Sequence, residues 1–228
     1  MTDKHQFTRG GVTFTAYADG SLLVNHENLL VFSDLHLEKG RAMAGTAPLP
    51  EMDTDTTLKN MTKAIGRDEP EAVLFLGDSF HRSQMANTLP DRHRDALNAA
   101  LMGRQVIWIT GNHDPDLPDF LTGSARDELT LGKLVFRHEA GRLPRGGIEI
   151  SGHYHPKIRL ATRARRITGR CFLISQRRMI MPAFGAYAGG LSVHDPVLKR
   201  FHDAETEILF CHACRIYRYP YSQLQEAY

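Results

Sequence analysis

Polar residues that can bind metal ions occur in four short clusters, and each cluster directly follows an apolar run. The clusters have the sequences SDLH, GD, GNHD and GHYH, at residues 33–36, 77–78, 111–114 and 152–155. In an open α/β sheet the carboxyl ends of the strands lie at one edge, so we expect these clusters to converge there. Asp34 and His36 are two residues apart, and alternate side chains of an extended segment point the same way, so both can face one ion. The same argument holds for His153 and His155.

The candidate donors are carboxylates, an amide and imidazoles. They belong to Asp34, Asp78, Asn112, His36, His153 and His155. Such a mixed set suits manganese, iron, zinc or cobalt, and the lack of thiolates argues against a closed structural zinc site. The set is too large for one ion. Two ions about 3.5–4 Å apart, joined by a bridging carboxylate, would use it fully, and such a pair is the usual clamp for in-line displacement at phosphorus.

Short apolar strands and two amphipathic helices must position these residues. The first half alternates strands at 13–17, 21–25, 29–32, 72–76 and 106–109 with helices at 54–65 and 91–102. Asp53 or Thr54 is the expected cap of the first helix. The second half is predicted to be mostly β, with strands at 134–136, 148–150, 171–174, 179–181 and 208–210. Together these elements predict one α/β domain over residues 1–228, with two packed sheets and helices outside.

The composition is that of an ordinary globular protein. Its 28 Lys and Arg residues against 26 Asp and Glu give a net charge of +2 with the 12 histidines neutral, which indicates neither a nucleic acid nor a membrane as partner. The apolar runs are far shorter than the roughly 18 residues that cross a bilayer. The first ten residues lack the apolar segment of a secretory signal, so we expect a cytoplasmic protein with reduced cysteines. Cys211 and Cys214 have C-x-x-C spacing, and reduced, partly packed thiols are the favoured interpretation.

The order D-x-H, G-D, G-N-H-D and G-H-x-H resembles the calcineurin-like metallophosphoesterase family, over residues 33–156. Four longer segments are similar to its ligase-associated DNA-damage-response subgroup, called PdeM, and extend the resemblance to roughly residues 25–195. They are DLHLEKG, GDSFHR, GHYHPK and PAFGAYAGG, which begin at residues 34, 77, 152 and 182. The resemblance implies a four-layered αββα sandwich, in which helices flank two packed mixed sheets.

The resemblance also implies seven metal ligands, which would hold two divalent ions. They are Asp34, His36 and His155 on the first ion, Asp78 as the bridge, and Asn112, His138 and His153 on the second ion. His138 is included because it is the only histidine between the third and fourth motifs. Manganese is the expected metal, with iron, cobalt or zinc as alternatives.

His113 matches the family histidine that contacts the phosphate and protonates the leaving oxygen, a task that suits a pKa near neutrality. In the phosphoprotein phosphatase branch, an aspartate three residues after the bridging one orients that histidine. Here His81 stands at that position, followed by Arg82. The group that orients His113 must therefore differ, with Asp114 and Asp34 as alternatives. His81 and Arg82 either contact the substrate phosphate or support the site.

A basic run without acidic residues begins directly after His155, at residues 157–170, and Arg177 and Arg178 follow it. One interpretation is a solvated surface. The other is an electrostatic track for a nucleic-acid backbone beside the metal site. The candidate substrate-binding residues of the track are Arg159, Arg163, Arg165 and Arg166. The loop at 182–190 is interpreted either as a wall of the active site or as a plain loop.

The remaining histidines lie outside every motif and are predicted to be surface or turn residues. They are His5, His26, His93, His194, His202 and His212.

The PdeM resemblance implies a DNA endonuclease that acts in repair, with single-stranded DNA favoured. A repair ligase or helicase and a second copy of the chain are the expected protein partners, and no membrane partner is expected. The alternatives are a small-molecule phosphatase or nucleotide phosphodiesterase, and a metal-stabilised DNA-binding accessory of a repair complex.

Overall fold

The computed structural model describes residues 2–40, 52–81, 88–113, 118, 120–143, 145–161 and 166–224. Within these residues, the first sheet has seven strands that pair in sequence order. They are β1 (Lys4–Arg9), β2 (Val12–Tyr17), β3 (Leu22–Val24), β4 (Leu29–Phe32), β5 (Ala72–Leu76), β6 (Gln105–Ile109) and β7 (Ser124–Arg126). Strands β1 to β4 are antiparallel, whereas β4 to β7 are parallel.

The second sheet has eight strands among the described residues. They are β8 (Glu128–Leu131), β9 (Leu134–Arg137), β10 (Ile148–Ser151), β11 (Lys157–Ala161), β12 (Arg166–Ile174), β13 (Arg178–Ile180), β14 (Glu207–His212) and β15 (Arg215–Pro220). Their order is β15-β14-β12-β13-β10-β9-β8, and β11 pairs with β12. Strands β9, β10 and β13 are parallel and the other pairs are antiparallel, so both sheets are mixed, as predicted.

The two sheets pack face to face, and helices cover their outer faces. On β5, Leu74 and Leu76 belong to the core between the sheets, whereas Val73 and Phe75 belong to the core beneath the helices. Both faces of this strand are buried, which is why its sequence is continuously apolar. The first sheet is covered by α1 (Asp53–Asp68) and α2 (Asp91–Leu101), and the second by α3 (Pro196–Lys199). This is the predicted α/β sandwich, with a thin fourth layer.

Five strands were not anticipated from the sequence: β1, β7, β8, β11 and β15. Three of them, β1, β7 and β8, end a sheet, and β15 is the outermost strand at the opposite end of the second sheet. An edge strand needs little apolar surface, so a search for apolar runs misses it. Strand β11 was hidden in the basic run, which forms an antiparallel hairpin of β11 and β12.

The expected cap of α1 is wrong. The helix begins at Asp53, and no side chain caps its amino end. The Asp53 carboxylate instead accepts the Gly40 N–H at 2.9 Å, and the Thr54 hydroxyl accepts the Glu38 N–H at 2.8 Å. Both side chains therefore fasten the segment that follows β4, which carries the first metal-binding motif.

His93 is also not a surface residue, contrary to the prediction, since only 4% of it is exposed. Its Nδ1 lies 3.1 Å from Oε1 of Glu38, which is buried too, and its Nε2 lies 3.0 Å from Oδ1 of Asp55. The imidazole thus joins α2 to α1 and to the segment after β4.

In the described part of the chain, no helix has the length and apolar character needed to cross a membrane.

Replacing His93 with leucine should lower the free energy of unfolding by about 2 kcal/mol, because the buried Glu38 carboxylate loses a hydrogen bond. Urea denaturation followed by circular dichroism measures this change. His26→Leu is the matched control, since the His26 side chain is 57% exposed, and it should cost under about 0.5 kcal/mol. Equal losses in the two variants would contradict the role of His93.

Candidate metal centre and its surroundings

Six predicted ligands converge where the carboxyl ends of β4, β5, β9 and β10 meet. They form two groups, and within each group the donor atoms lie within 4.8 Å of one another. The first group is Asp34, His36 and His155, and the second is Asp78, His138 and His153. The groups are adjacent, because Nδ1 of His138 lies 3.9 Å from Oδ1 of Asp34.

The first group surrounds a fully buried carboxylate. Oδ1 of Asp34 lies 3.0 Å from Nε2 of His155, and that nitrogen lies 3.2 Å from Nε2 of His36. Asp34 also accepts the backbone N–H of His153 at 3.1 Å and the hydroxyl of Ser33. These hydrogen bonds hold the carboxylate in place and leave the two imidazole nitrogens directed at the same point.

The second group is built around His138, the ligand that no motif contained. Its Nδ1–H donates to the Leu76 carbonyl at 2.8 Å, which leaves Nε2 as the nitrogen that can bind a metal. Nε2 lies 3.4 Å from Oδ2 of Asp78 and 3.1 Å from Nδ1 of His153. The carbonyl at the end of β5 thus selects the tautomer and the direction of a ligand from the other sheet.

Each group offers one carboxylate oxygen and two imidazole nitrogens, a donor set that suits a divalent transition metal. Imidazole lone pairs directed at one point repel each other unless a cation lies between them, so the geometry fits two ions. Asp78 lies in the second group, and its bridging role stays a prediction. Asn112 is exposed and lines the same cavity as His138, so it remains a candidate ligand.

The backbone of the ligands is unusual. Five of them have a left-handed conformation, with φ between 46° and 67°. They are Asp34, His36, Asp78, His153 and His155. Our expectation that Asp34 and His36 converge as alternate residues of an extended segment is therefore wrong in its reason, although the two side chains do meet. The same expectation for His153 and His155 is wrong in its result as well, because these two residues belong to different groups. Each left-handed residue costs roughly 1–2 kcal/mol, which the rest of the fold must offset.

Two glycines allow the ligands to approach. A Cβ on Gly77 would lie 2.6 Å from Nδ1 of His138, and a Cβ on Gly152 would lie 2.4 Å from Oδ2 of Asp34. Any larger residue would displace a ligand. The first of these glycines also has φ of +78°, a conformation that favours glycine.

Burial and neighbouring charges shift the protonation of the donors in opposite directions. Burial lowers the pKa of His36 to about 3, so its ring is neutral and keeps a lone pair for a cation. Burial also favours a lower pKa for His138, but the hydrogen bond to Asp78 and the charges of Asp34 and Asp78 outweigh it and raise the pKa to about 9. Burial opposes ionisation of Asp78, but the hydrogen bond with His138 lowers the pKa of this carboxyl. A cation that binds the second group must therefore displace a proton from His138.

His113 lies beside the two groups with an exposed ring. Its backbone N–H donates to Oδ1 of Asp78 at 2.9 Å, and its Nε2 lies 3.9 Å from Oδ2 of the same carboxylate. Among the described residues, Asp78 and not Asp34 is therefore the carboxylate paired with this ring; Asp114 lies outside them. His81 stacks on His113 with ring centroids 5.4 Å apart. The residue three positions after Asp78 thus places an aromatic ring against His113.

The predicted substrate-binding arginines are described only in part. Arg82, Arg163 and Arg165 lie outside the described residues, whereas Arg159 and Arg166 lie on the β11–β12 hairpin. The hairpin pairs Arg159 with Thr168 and Ala161 with Arg166, so both arginines project from one face.

Two cavities border the first group, and both have His155 in their walls. We call the first the basic cavity: it has a volume of about 400 Å³ and is lined by Lys157, Arg170, Thr56 and the loop at 183–189. We call the second the Arg200 cavity: it has a volume of about 550 Å³ and is also lined by His153, Tyr154 and Arg200. The first group can thus be reached from both cavities, because His155 lies in the walls of both.

The loop at 182–190 lies against the first motif. Its Phe184 and Gly185 donate backbone hydrogen bonds to the carbonyls of Ser33 and Asp34, at 2.8 and 3.2 Å. Arg170 donates to the carbonyls of Ala183 and Phe184, at 3.2 Å each, so this arginine holds the loop in place. The structure therefore places the loop as a wall beside the metal centre, one of the two interpretations of the sequence.

Sequence reasoning missed two cations near the centre. Lys39 is half-buried, and burial together with the charge of Lys157 lowers its pKa. Its position in the DLHLEKG segment was the available signal. Arg200 lies in the wall of the Arg200 cavity but beyond every motif, so no sequence pattern pointed to it.

The two cysteines of the C-x-x-C pattern differ in exposure. Cys211 is buried, which raises the pKa of its thiol to about 12, whereas Cys214 is exposed.

Comparison with known proteins agrees with this geometry. Residues 28–175 match the family model described as calcineurin-like phosphoesterase. A cAMP/cGMP dual specificity phosphodiesterase of Mycobacterium tuberculosis is 29% identical over 136 residues, which are 58% of this chain and 41% of that protein. The chain therefore spans about two fifths of that relative's length. The fold is similar to that of a nuclease, MPE, of Pseudomonas putida, with a TM-score of 0.77, 22% identity, and coverage of 95% of this chain and 100% of the nuclease chain.

Replacing Gly77 with alanine should abolish binding at the second group while the protein stays folded, because the new Cβ meets His138. Wild type should bind two manganese ions per chain, and Gly77→Ala about one, as measured by elemental analysis after dialysis. Gly103→Ala is the matched control, since Gly103 has φ of +76° and no atom within 4 Å of its Cβ position. Both variants carry the same backbone strain of roughly 1 kcal/mol. Loss of one ion in both, or in neither, would contradict the assignment of His138.

Proposed function

The chain belongs to the calcineurin-like phosphoesterase family, and on this premise we propose that it is a metal-dependent phosphodiesterase that cuts DNA internally, single-stranded DNA by preference. The observation that carries the proposal is the access to the first group from two cavities that share His155. An internal phosphodiester has a nucleoside on each side of the reacting phosphorus and needs room for both. A phosphomonoester needs room for only one.

Two divalent ions held by the two groups would supply Lewis-acid activation of the phosphate ester and of water. The residues of the chain supply the rest. Asp34 and Asp78 would hold the ions through their negative charge, together with the imidazoles of the two groups. The exposed ring of His113 can donate a proton to the leaving oxygen, and its Nε2 lies 3.9 Å from Oδ2 of Asp78.

The β11–β12 hairpin supports a nucleic-acid substrate. Side chains alternate between the two faces of the hairpin. Ile158 faces the core and is 1% exposed, while four cations share the opposite face. They are Lys157, Arg159, Arg166 and Arg170. Lys157 follows the ligand His155 by two residues and donates to the Ala188 carbonyl at 3.1 Å, so the row of cations begins at the metal centre. Such a row can follow the phosphates of a strand.

The motif segments shared with PdeM support manganese as the metal and a role in DNA repair beside a ligase or helicase. A second candidate is hydrolysis of a small nucleotide diester, and the mycobacterial cAMP/cGMP dual specificity phosphodiesterase favours it, because that relative acts on cyclic nucleotides. A circular single-stranded substrate separates the two functions, because it has no ends and yields only to an endonuclease.

Circular single-stranded DNA should be converted to linear fragments in the presence of manganese, and chelation with EDTA should stop the reaction.

His113→Ala should keep both ions but lose at least about a hundredfold in turnover, since general acid catalysis is worth roughly 10²–10⁴-fold. Gel electrophoresis follows the cleavage, and elemental analysis counts the ions. Hydrolysis of cyclic mononucleotides with intact circular DNA would favour the second candidate. Equal DNA binding by wild type and His113→Ala, with no cleavage by either, would favour a DNA-binding accessory.

Removal of two hairpin charges in Arg159→Ala/Arg166→Ala should weaken binding of single-stranded DNA in a salt-dependent way. The slope of log K against log salt should fall by about 1.4, since each neutralised phosphate contributes roughly 0.7. Fluorescence anisotropy with a labelled oligonucleotide measures this slope. The matched control is Lys4→Ala/Arg215→Ala, which removes two exposed cations elsewhere. An unchanged slope in the hairpin variant would leave the hairpin as an ordinary solvated surface.

A further inference from the structure

The Arg200 cavity reaches the metal centre at His153 and His155, one ligand from each of the two groups. It differs from the basic cavity in its chemistry. Four of its wall residues lie beyond residue 175, where the match to the family model ends: Gly190, Leu191, Val197 and Arg200. The other four lie inside the matched residues: Glu139, His153, Tyr154 and His155.

Among the described residues, the cavity walls combine an apolar surface with the Arg200 guanidinium and the Glu139 carboxylate. Val197 is 40% exposed and is one of three large apolar residues so exposed among those that the structure describes. Leu191 is half-buried in the same wall. An apolar side chain left in contact with solvent beside a reaction centre is a surface that a base or another flat, weakly polar group can cover.

The cation is held in place by contacts that lead back to the metal ligands. Arg200 donates to the Tyr154 hydroxyl at 3.0 Å, and that hydroxyl donates to the Glu139 carboxylate at 3.2 Å. Tyr154 lies between the two ligands His153 and His155 in the sequence. The Arg200 guanidinium also lies over the Phe201 ring, 4.6 Å from its centroid. Within the described residues, one of the five guanidinium N–H groups of Arg200 is used in the hydrogen bond to Tyr154. Other N–H groups of the guanidinium can therefore bind an anion.

We infer that the Arg200 cavity is a nucleotide subsite: it receives a nucleoside attached to the scissile phosphate, and Arg200 binds the next phosphate along the strand. The inference rests on the proposed function and specifies where the strand passes. The Val197 and Leu191 wall contacts the base, and the Glu139 carboxylate accepts hydrogen bonds from base amino groups. The volume of about 550 Å³ lies within the range of small-molecule sites.

The test compares kcat/KM on three substrates: bis(p-nitrophenyl) phosphate, a dinucleotide and a hexanucleotide. Wild-type enzyme with manganese should gain in kcat/KM from the small diester to the hexanucleotide. In Arg200→Ala this gain should shrink about tenfold, the worth of a charge-assisted phosphate contact. Arg200→Lys should lie between the two, because it keeps the charge but not the planar fork.

Two further variants separate a lost contact from a damaged fold. Lys199→Ala removes an exposed cation from α3, directly before Arg200 in the sequence, and Lys199 does not line the cavity. This variant should keep the full gain. Val197→Asp places a carboxylate in the wall at an exposed helical position, and it should reduce the gain by repelling the strand. Thermal unfolding of Lys199→Ala and Val197→Asp should match that of wild type within about 2 °C, as expected of exposed positions. The two Arg200 variants should lose at most about 4 °C, because they change the hydrogen bond to Tyr154.

The outcomes distinguish the inference from the function on which it rests. If wild type gains on the hexanucleotide but Arg200→Ala and Val197→Asp retain the whole gain, the subsite is refuted and the nuclease function stands. If Lys199→Ala loses as much as Arg200→Ala, the effect is one of net charge and the subsite is refuted as well. A wild type that hydrolyses the small diester and shows no gain on either nucleotide overturns the nuclease function and the subsite together.

Discussion

Two carboxylates buried side by side impose the main constraint on this structure. Asp34 is fully buried and Asp78 is 3% exposed, and a buried charge is costly unless it is paired and hydrogen-bonded. The fold meets this demand with backbone N–H groups of His153 and His113, the Ser33 hydroxyl and the imidazole of His138. The same groups are the candidate metal ligands or their neighbours. Stabilising the carboxylates and assembling the metal centre are therefore one structural task.

That task requires both sheets. Strands β4, β5 and β6 are parallel neighbours of the first sheet, so Asp34, Asp78 and Asn112 emerge side by side from their carboxyl ends. Strands β9 and β10 are parallel neighbours of the second sheet and deliver His138 and His153 in the same way. Each of the two donor groups combines residues from the two sheets. The core between the sheets thus sets the distances within each group, and the left-handed backbone of five ligands turns the side chains inward.

Charge is distributed unevenly around this centre, although the chain carries a net charge of only +2. The two buried carboxylates make the centre negatively charged, whereas the hairpin cations that begin at Lys157 make the adjoining surface positively charged. Arg170 links the two regions, because it belongs to the hairpin and also holds the loop beside Asp34 through two carbonyls. Negative and positive charge are thereby kept on adjacent surfaces and do not cancel each other.

The sequence by itself determined the class of the fold and the inner strands, since a strand buried on both faces, such as β4 or β5, must be continuously apolar. It also predicted the candidate donors that lie in motifs at strand ends, because such motifs can be recognised without coordinates, whereas His138 lies in no motif. It could not determine edge strands such as β7, which bury little, or the buried position of His93, which depends on meeting Glu38 from another element. The grouping of donors, the tautomer of His138 and the place of Arg200 were decided only by the tertiary structure. Each depends on a contact between residues far apart in the chain, and local spacing carries no information about such contacts.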